Sequence, residues 1–199
     1  YNYSPCIYAN GAKNIGITGE GTIDGNGANE TFWQWTGVER FGYKKGVTTE
    51  DSRFPRDGNS LGYRAILQKM CEDNVPVKDR VFGMGKGLRM QLVNPVNCEN
   101  IHIEGVTMLN SPFWVMHPLF SKNITVRKVY VYNEGPNGDG CDPESCENVL
   151  IEDCVFHTGD DCIAIKSGRN GDGRRDGRPS KNIIVRRCKM EDGHGGVVI

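Results

Sequence analysis

The chain reads as an all-β protein, a right-handed parallel β-helix in which one strand-bend-strand unit repeats along a single axis. Three observations predict this fold. Five asparagines each open an alternating apolar run, the runs recur about every two dozen residues, and no helical period fills the gaps between them. A period of two within each run argues strand, and recurrence at that interval argues a solenoid whose turns bury their inner faces on one another. At 199 residues the chain has length for about seven or eight coils of roughly 25 residues each, in one domain spanning 1–199.

The runs are Asn14-Ile15-Gly16-Ile17, Asn100-Ile101-His102-Ile103, Asn123-Ile124-Thr125-Val126, Asn148-Val149-Leu150-Ile151 and Asn182-Ile183-Ile184-Val185. The last four asparagines are 23, 25 and 34 residues apart. Counting from each of them, offsets 1, 3, 6 and 8 hold Ile101, Ile103, Val106, Met108, then Ile124, Val126, Val129, Val131, then Val149, Ile151, Cys154, Phe156, and last Ile183, Val185, Cys188, Met190. All are apolar. The step from offset 3 to offset 6 breaks the alternation, which predicts a bend between two short strands. Asparagines recurring at one corner are expected to stack in a buried ladder, each amide bonding the coil above and below. The alternative is that each merely occupies a turn, where Asn is common. The long spacing is explained by Arg169-Asn170-Gly171-Asp172-Gly173-Arg174-Arg175-Asp176-Gly177-Arg178-Pro179, polar and free of apolar residues, which reads as a loop inserted in its coil.

Register decides which polar residues can meet. Asp160 lies 12 residues after Asn148 and His194 lies 12 after Asn182, so they share an offset in adjacent coils, whose strands stand about 4.8 Å apart. Asp139 has a different offset, but Gly135-Pro136-Asn137-Gly138 can absorb the difference as a local loop and place it one coil before Asp160. Asp160 and Asp161 would point to opposite faces of a regular strand. A bend at Gly159 would let both serve one site.

Those residues carry a family resemblance. PNGDGCDPES at 136–145, GDDCIAIKSGRN at 159–170 and DGHGG at 192–196 resemble glycoside hydrolase family 28, the polygalacturonases and their relatives. Supporting matches are NITVRKVYV at 123–131, SPFWVMHP at 111–118 and NIGITGEGTIDGNG at 14–27, while 28–81 is the least informative stretch. The long Asp-Gly- and Arg-rich segment after SGRN is similar to bacterial and plant members. Two departures stand out. The family usually has Asn-Thr-Asp or Asn-Asn-Asp where this chain has Asn137-Gly138-Asp139, and Gly there is expected to loosen the backbone. The family's Arg-x-Lys pair downstream of Gly-His-Gly is not reached, since the chain stops at Ile199. With no initiating Met and an apolar last run, the chain is expected to be an internal piece whose C-terminal coils are missing.

The resemblance implies an inverting glycosidase acting on α-1,4-linked polygalacturonate or pectin. Asp160 would be the general acid, Asp139 and Asp161 would position and deprotonate water, and His194 would tune the cluster. Such pairs stand about 6.5 to 9.5 Å apart, and clustering raises the pKa of at least one carboxyl. The substrate is a polyanion while the chain carries 24 Lys and Arg against 25 Asp and Glu, so local cations must bind it. Lys166 and Arg169 are candidates, each with an ordinary solvated charge as the alternative. His117 and Trp114 are candidates for the cleft wall, Trp114 equally for the core. Asn137 and Gly195 complete the expected substrate-contacting set. The 169–179 segment is expected to close one end of the cleft and favour chain-end attack.

No cofactor is implied. The eight cysteines show no zinc-type spacing, so no metal site is expected. Cys154 and Cys188 share an inward offset, where they read as small core hydrophobes or a possible disulfide, and Cys141 and Cys146 bracket a turn. A nearly neutral chain without a basic face gives nucleic-acid binding no support. No signal peptide or membrane span is visible. The family expectation is a secreted or periplasmic monomer on a pectic polysaccharide. Two rivals are weighed: a pectate-lyase-like β-elimination, for which no calcium ligand series is seen, and a non-catalytic carbohydrate-binding solenoid, which has no need of the acidic set.

Overall fold

A computed structural model describes residues 2–44, 62–83 and 85–199. The first coil runs β1 (Ile7–Asn10), β2 (Lys13–Thr18) and β3 (Thr22–Asp24). The second runs β4 (Val93–Val96), β5 (Glu99–Glu104) and β6 (Thr107–Leu109). The third supplies β7 (Lys122–Arg127) and β8 (Tyr130–Asn133), and the fourth β9 (Glu147–Glu152) and β10 (Val155–Thr158). The fifth holds β11 (Ile163–Ala164), β12 (Lys181–Arg186) and β13 (Lys189–Glu191), and β14 (Val197–Val198) opens a sixth.

These strands stack into parallel sheets. One five-stranded sheet has the order β12-β9-β7-β5-β2, and another has β13-β10-β8-β6-β3. The third face is a thinner ladder in which β1 pairs with β4, isolated bridges at Met116 and Cys141 carry the line on to Ile163, and β11 pairs with β14. This is the right-handed parallel β-helix expected.

Register follows the repeat. Ile15, Ile101, Ile124, Val149 and Ile183 lie in one file across the first sheet, and Ile23, Met108, Val131, Phe156 and Met190 in one file across the second. The middle coils bury these side chains completely or nearly so, while Ile183, Val185, Cys188 and Met190 pack against them half-covered. Each fully buried Ile, Val or Phe contributes about 1.5–3 kcal/mol, so the stack of inward files is the main source of stability. All eight cysteines are free thiols; burial pushes the Cys154 thiol up to about 12, as suits a core hydrophobe.

Both corners are set by left-handed backbone. Asn14, Asn100, Asn123, Asn148 and Asn182 have φ of 56°, 58°, 56°, 59° and 56°, a conformation Asn tolerates better than most residues. Their amides form the ladder, each Nδ2 donating to the Oδ1 of the coil before at 2.8, 2.9, 3.1 and 3.0 Å. The ladder is exposed, not buried as expected, because left-handed φ turns each side chain out along the corner. The predicted bend falls at offset 5, where Gly19, Gly105, Lys128, Asp153 and Arg187 all have positive φ.

Five complete coils are formed among the described residues, fewer than the length suggested, because the chain leaves the solenoid after β3 and returns at β4. The excursion does not disturb register: Ile7 still faces Val93 and Lys13 still faces Glu99. It contains α1 (Tyr63–Glu72), which ends before Asn74 at φ 55°.

The segment expected to be a loop after Ser167 instead contains α2 (Asn170–Asp176), closed by Gly177 at φ 65°. Intrinsic propensity opposes a helix with two glycines; docking on α1 overrides it. Asp172 accepts from the Arg80 guanidinium, Glu72 accepts from the Gly171 amide at 2.9 Å and pairs with Arg174 at 2.9 Å, and Arg175 reaches the Cys71 carbonyl. A Cβ on Gly171 would lie 2.9 Å from the Cys71 carbonyl oxygen, so the same glycine that weakens the helix permits its seat.

Candidate active site

The site lies on the thin ladder and the loops that lead into it. Bridges Met116↔Cys141 and Cys141↔Ile163 put Asp139 directly beneath Asp161, and the Gly140 amide donates to the Asp161 carbonyl at 3.0 Å. Asp160 therefore sits one coil above the Asn137–Asp139 loop, and Asn137 Nδ2 approaches its Oδ2 at 3.4 Å. One coil higher, His194 Nδ1 stands 3.2 Å from Asp160 Oδ1. The shared offset thus brings this imidazole and carboxylate together.

One oxygen from each of Asp139, Asp160 and Asp161 lies within 4.8 Å of one from each of the others. The three acids thus form one tight cluster. The cause is the ladder itself: two of the acids stand one strand spacing apart and the third is a sequence neighbour. The Asp161 amide donates to Asp160 Oδ1 at 3.1 Å, which marks the local departure from regular strand that lets both aspartates face one side.

The glycines matter for space. A Cβ on Gly193 would meet Cys162 Sγ at 2.6 Å and the Asp160 carbonyl oxygen at 2.9 Å, so a side chain there would push the acid out of place. At Gly159 the obstacle is the Glu134 carbonyl, which an added Cβ would overlap; its need is close approach, not a bend by positive φ. Gly138, expected to loosen its loop, is packed against the Gly135 and Asn133 carbonyls. Gly195 gives its carbonyl to the Cys162 amide at 2.8 Å and leaves room for Asp161.

Electrostatics single out Asp139. It is buried, and burial pushes its carboxyl up to about 6, with Lys166 opposing and the Asp160 charge adding. Lys166 Nζ lies 3.4 Å from Asp139 Oδ2 and 3.4 Å from Asp142 Oδ2, above the Trp114 ring. Its ammonium is thus turned toward acids of the protein. The three acids could gather a cation by their spacing, and Lys166 already supplies positive charge at Asp139.

Among the remaining predicted residues, Trp114 is half-buried and stacks on Phe113. His117 is buried beneath it, with Nε2 2.8 Å from Glu144 and Nδ1 3.2 Å from the amides of Gln91 and Asn94. Arg169 is exposed and lines a cavity of about 320 Å³ with Trp114, Asn137, Arg89 and, from α1, Arg64, Leu67 and Gln68.

The sequence reading passed over Arg89 and Asp142. Arg89 donates to Asn137 Oδ1 at 2.8 Å and to the Pro112 carbonyl at 2.9 Å, fixing the loop that carries Asp139. No repeat signal marks it. Asp142 sits in register with His117 below and Ala164 above, on the face opposite the inward Met116-Cys141-Ile163 file, so no repeat signal marks it either.

The parallel β-helix thus gathers three carboxylates, an imidazole and a lysine beside a cavity lined by arginines. The chain belongs to the glycosyl hydrolases family 28, whose family model matches residues 85–198. Over its whole length it is similar to a solved hyperthermoactive exopolygalacturonase from Thermotoga maritima, with 43% identity and a TM-score of 0.91, covering 43% of that chain. It is 37% identical over 118 residues to a protein of Vitis vinifera named "Probable polygalacturonase", covering 58% of this chain and 24% of that one. The exo-poly-alpha-D-galacturonosidase of Dickeya chrysanthemi is 28% identical over 201 residues, covering 94% of this chain and 30% of that protein. The chain therefore spans less than a third of these two sequence relatives.

Proposed function

We propose that this chain carries the acid/base site of a polygalacturonase, hydrolysing α-1,4-galacturonosidic bonds of polygalacturonate or pectin. The observation that carries the reading is the convergence of Asp139, Asp160, Asp161 and His194 from three successive coils. Asp160 is the general acid. It is the carboxyl in contact with His194, which holds it toward the cleft. Asp139 and Asp161, stacked in one file, bind a water between them and remove its proton as the sugar–oxygen bond breaks.

Chain-end attack is the finer reading. It is supported by the cavity that α1 and Arg169 wall off beside Asn137, and by the exo activity in the names of the Thermotoga and Dickeya proteins. Asn137, Arg169 and Gly195 lie about the substrate position, and Arg169 is an exposed cation suited to a galacturonate carboxylate; His117, tied to Glu144, and Lys166, tied to Asp139 and Asp142, act from behind that surface. The protein would act as a monomer, secreted or periplasmic, where its polymer lies. No helix among the described residues is long and apolar enough to cross a membrane.

The test is incubation of the full-length protein with polygalacturonic acid beside D160N, following reducing ends and ultraviolet absorbance. Reducing ends without absorbance, lost in D160N, support hydrolysis; calcium-dependent absorbance would mean a lyase. An inverting path releases the β-anomer from an α-linked substrate. Proton NMR of the first-formed anomer decides between inversion and retention.

A further inference from the structure

Asp142 has no role in the reading above, yet it is fully buried three residues from Asp139. Its Oδ1 and Oδ2, like Asp139 Oδ1, are buried and accept no hydrogen bond. One ammonium, Lys166, stands at 3.4 Å from each of the two carboxyls. Two buried carboxylates sharing one cation leave a surplus negative charge in a medium that solvates it poorly. Such sites neutralise by holding a proton. A proton between the two carboxyls also turns an orphaned acceptor into a paired one.

We propose that Asp142 is a positioning residue that keeps a buried proton and donates it to Asp139, so that the Lys166 charge acts on Asp139 alone. This rests on the reading of Asp139 as a water-activating base. The burial gradient supports the direction of sharing: Asp142 is the more enclosed of the two, and burial and the neighbouring Asp139 carboxyl push its pKa well above the usual carboxylate range. Among the described residues, no second cation is paired with Asp142. His117 lies in register below and is committed to Glu144, the Cys141 thiol is neutral by burial, Asp160 and Asp161 add negative charge, and His194 contacts Asp160.

The test uses the full-length enzyme as wild type, D142N, D142A and D139N. Infrared difference spectra at neutral pH should show a protonated-carboxyl band that D142N removes. The acid limb of kcat/KM should move by less than about half a pH unit in D142N, which retains a donor. It should rise by about one unit in D142A, with more than about a tenfold loss, because Asp139 Oδ1 is left unpaired. A band that survives D142N overturns the proposal, as does an acid limb that responds equally to the two substitutions. If D142A does not fold, the infrared result on D142N decides alone. Activity retained in D139N would instead sink the role given to Asp139, whatever the infrared band does.

Discussion

His194 meets Asp160 twice: its ring Nδ1 lies 3.2 Å from Asp160 Oδ1, and its backbone amide donates to the Asp160 carbonyl at 3.0 Å. The ladder bond fixes the two coils and brings the ring within ion-pair reach of the carboxyl. His194→Ala keeps the first and deletes the second. Loss of this contact to the acid should lower kcat about 10-fold, about 1.4 kcal/mol, with KM little changed and circular dichroism intact. An equal loss in KM would place the imidazole on the substrate instead.

Asp139 must be anionic to activate water, and burial holds its carboxyl at about 6. The folded-state value is raised, so the active form is lost as pH falls through that region. The acid limb of kcat/KM is expected near pH 6. Lys166→Met removes the charge that opposes burial and should move the limb to higher pH; a downward move would contradict the counter-ion role.

Gly193→Ala is expected to lower activity more than stability. The added methyl would press on Cys162 Sγ and the Asp160 carbonyl, moving the acid before it disturbs the buried files. Activity assays beside thermal denaturation check this, and an unchanged rate would show that the backbone yields without moving Asp160.

The asparagine ladder separates two contributions. Asn123 donates to Asn100 and accepts from Asn148, and each such bond is worth about 0.5–1.5 kcal/mol. Asn123→Gly should cost about 1–2 kcal/mol in urea denaturation. Asn123→Ala loses the same bonds and also places a Cβ at φ 56°, adding about 1–2 kcal/mol. Equal costs would mean that the corner is not strained.

Asp172 is held well below the usual carboxylate range, first by the Arg80 guanidinium. The folded pKa is depressed, so its contribution to docking α2 on α1 is complete above about pH 4 and is lost as pH falls toward the folded value. Hydrogen exchange of the α2 amides should quicken through that acid range in the wild type. In Asp172→Asn it should be fast at every pH. The same substitution should shift products from monomer toward longer oligomers if this docked pair closes the cavity.

The solenoid was legible because its signal is periodic. Asparagine offsets and apolar files mark every coil from Asn100 onward, and the Asp160–His194 contact follows from equal offsets alone. What was not legible depends on contacts between segments remote in sequence. A Gly-rich stretch gives no local reason to form α2; only Arg80 and Glu72, about a hundred residues away, make it helical. Ladder exposure was misjudged for a different reason, since side-chain direction at a corner depends on the sign of φ, which residue type suggests and does not fix. Asp142 was overlooked because it stands beside the inward Cys141 in a file with Asn94, His117 and Ala164 that carries no apolar repeat, and looks like a turn residue until the register on both sides is known.

The excursion between β3 and β4 bears on how the molecule folds. Asn14 bonds Asn100 across 86 residues, while Asn100 bonds Asn123 across 23. Closing the longer interval costs about 1 kcal/mol more in chain entropy, so the second to fourth coils should nucleate and the first coil should dock late. The acids arise on the coils with short-range contacts, and α1 belongs to the excursion. Chemistry is thus assembled early and the wall around the substrate late, which leaves the wall open to rewriting in length and sequence while the cleaving machinery stays as it is.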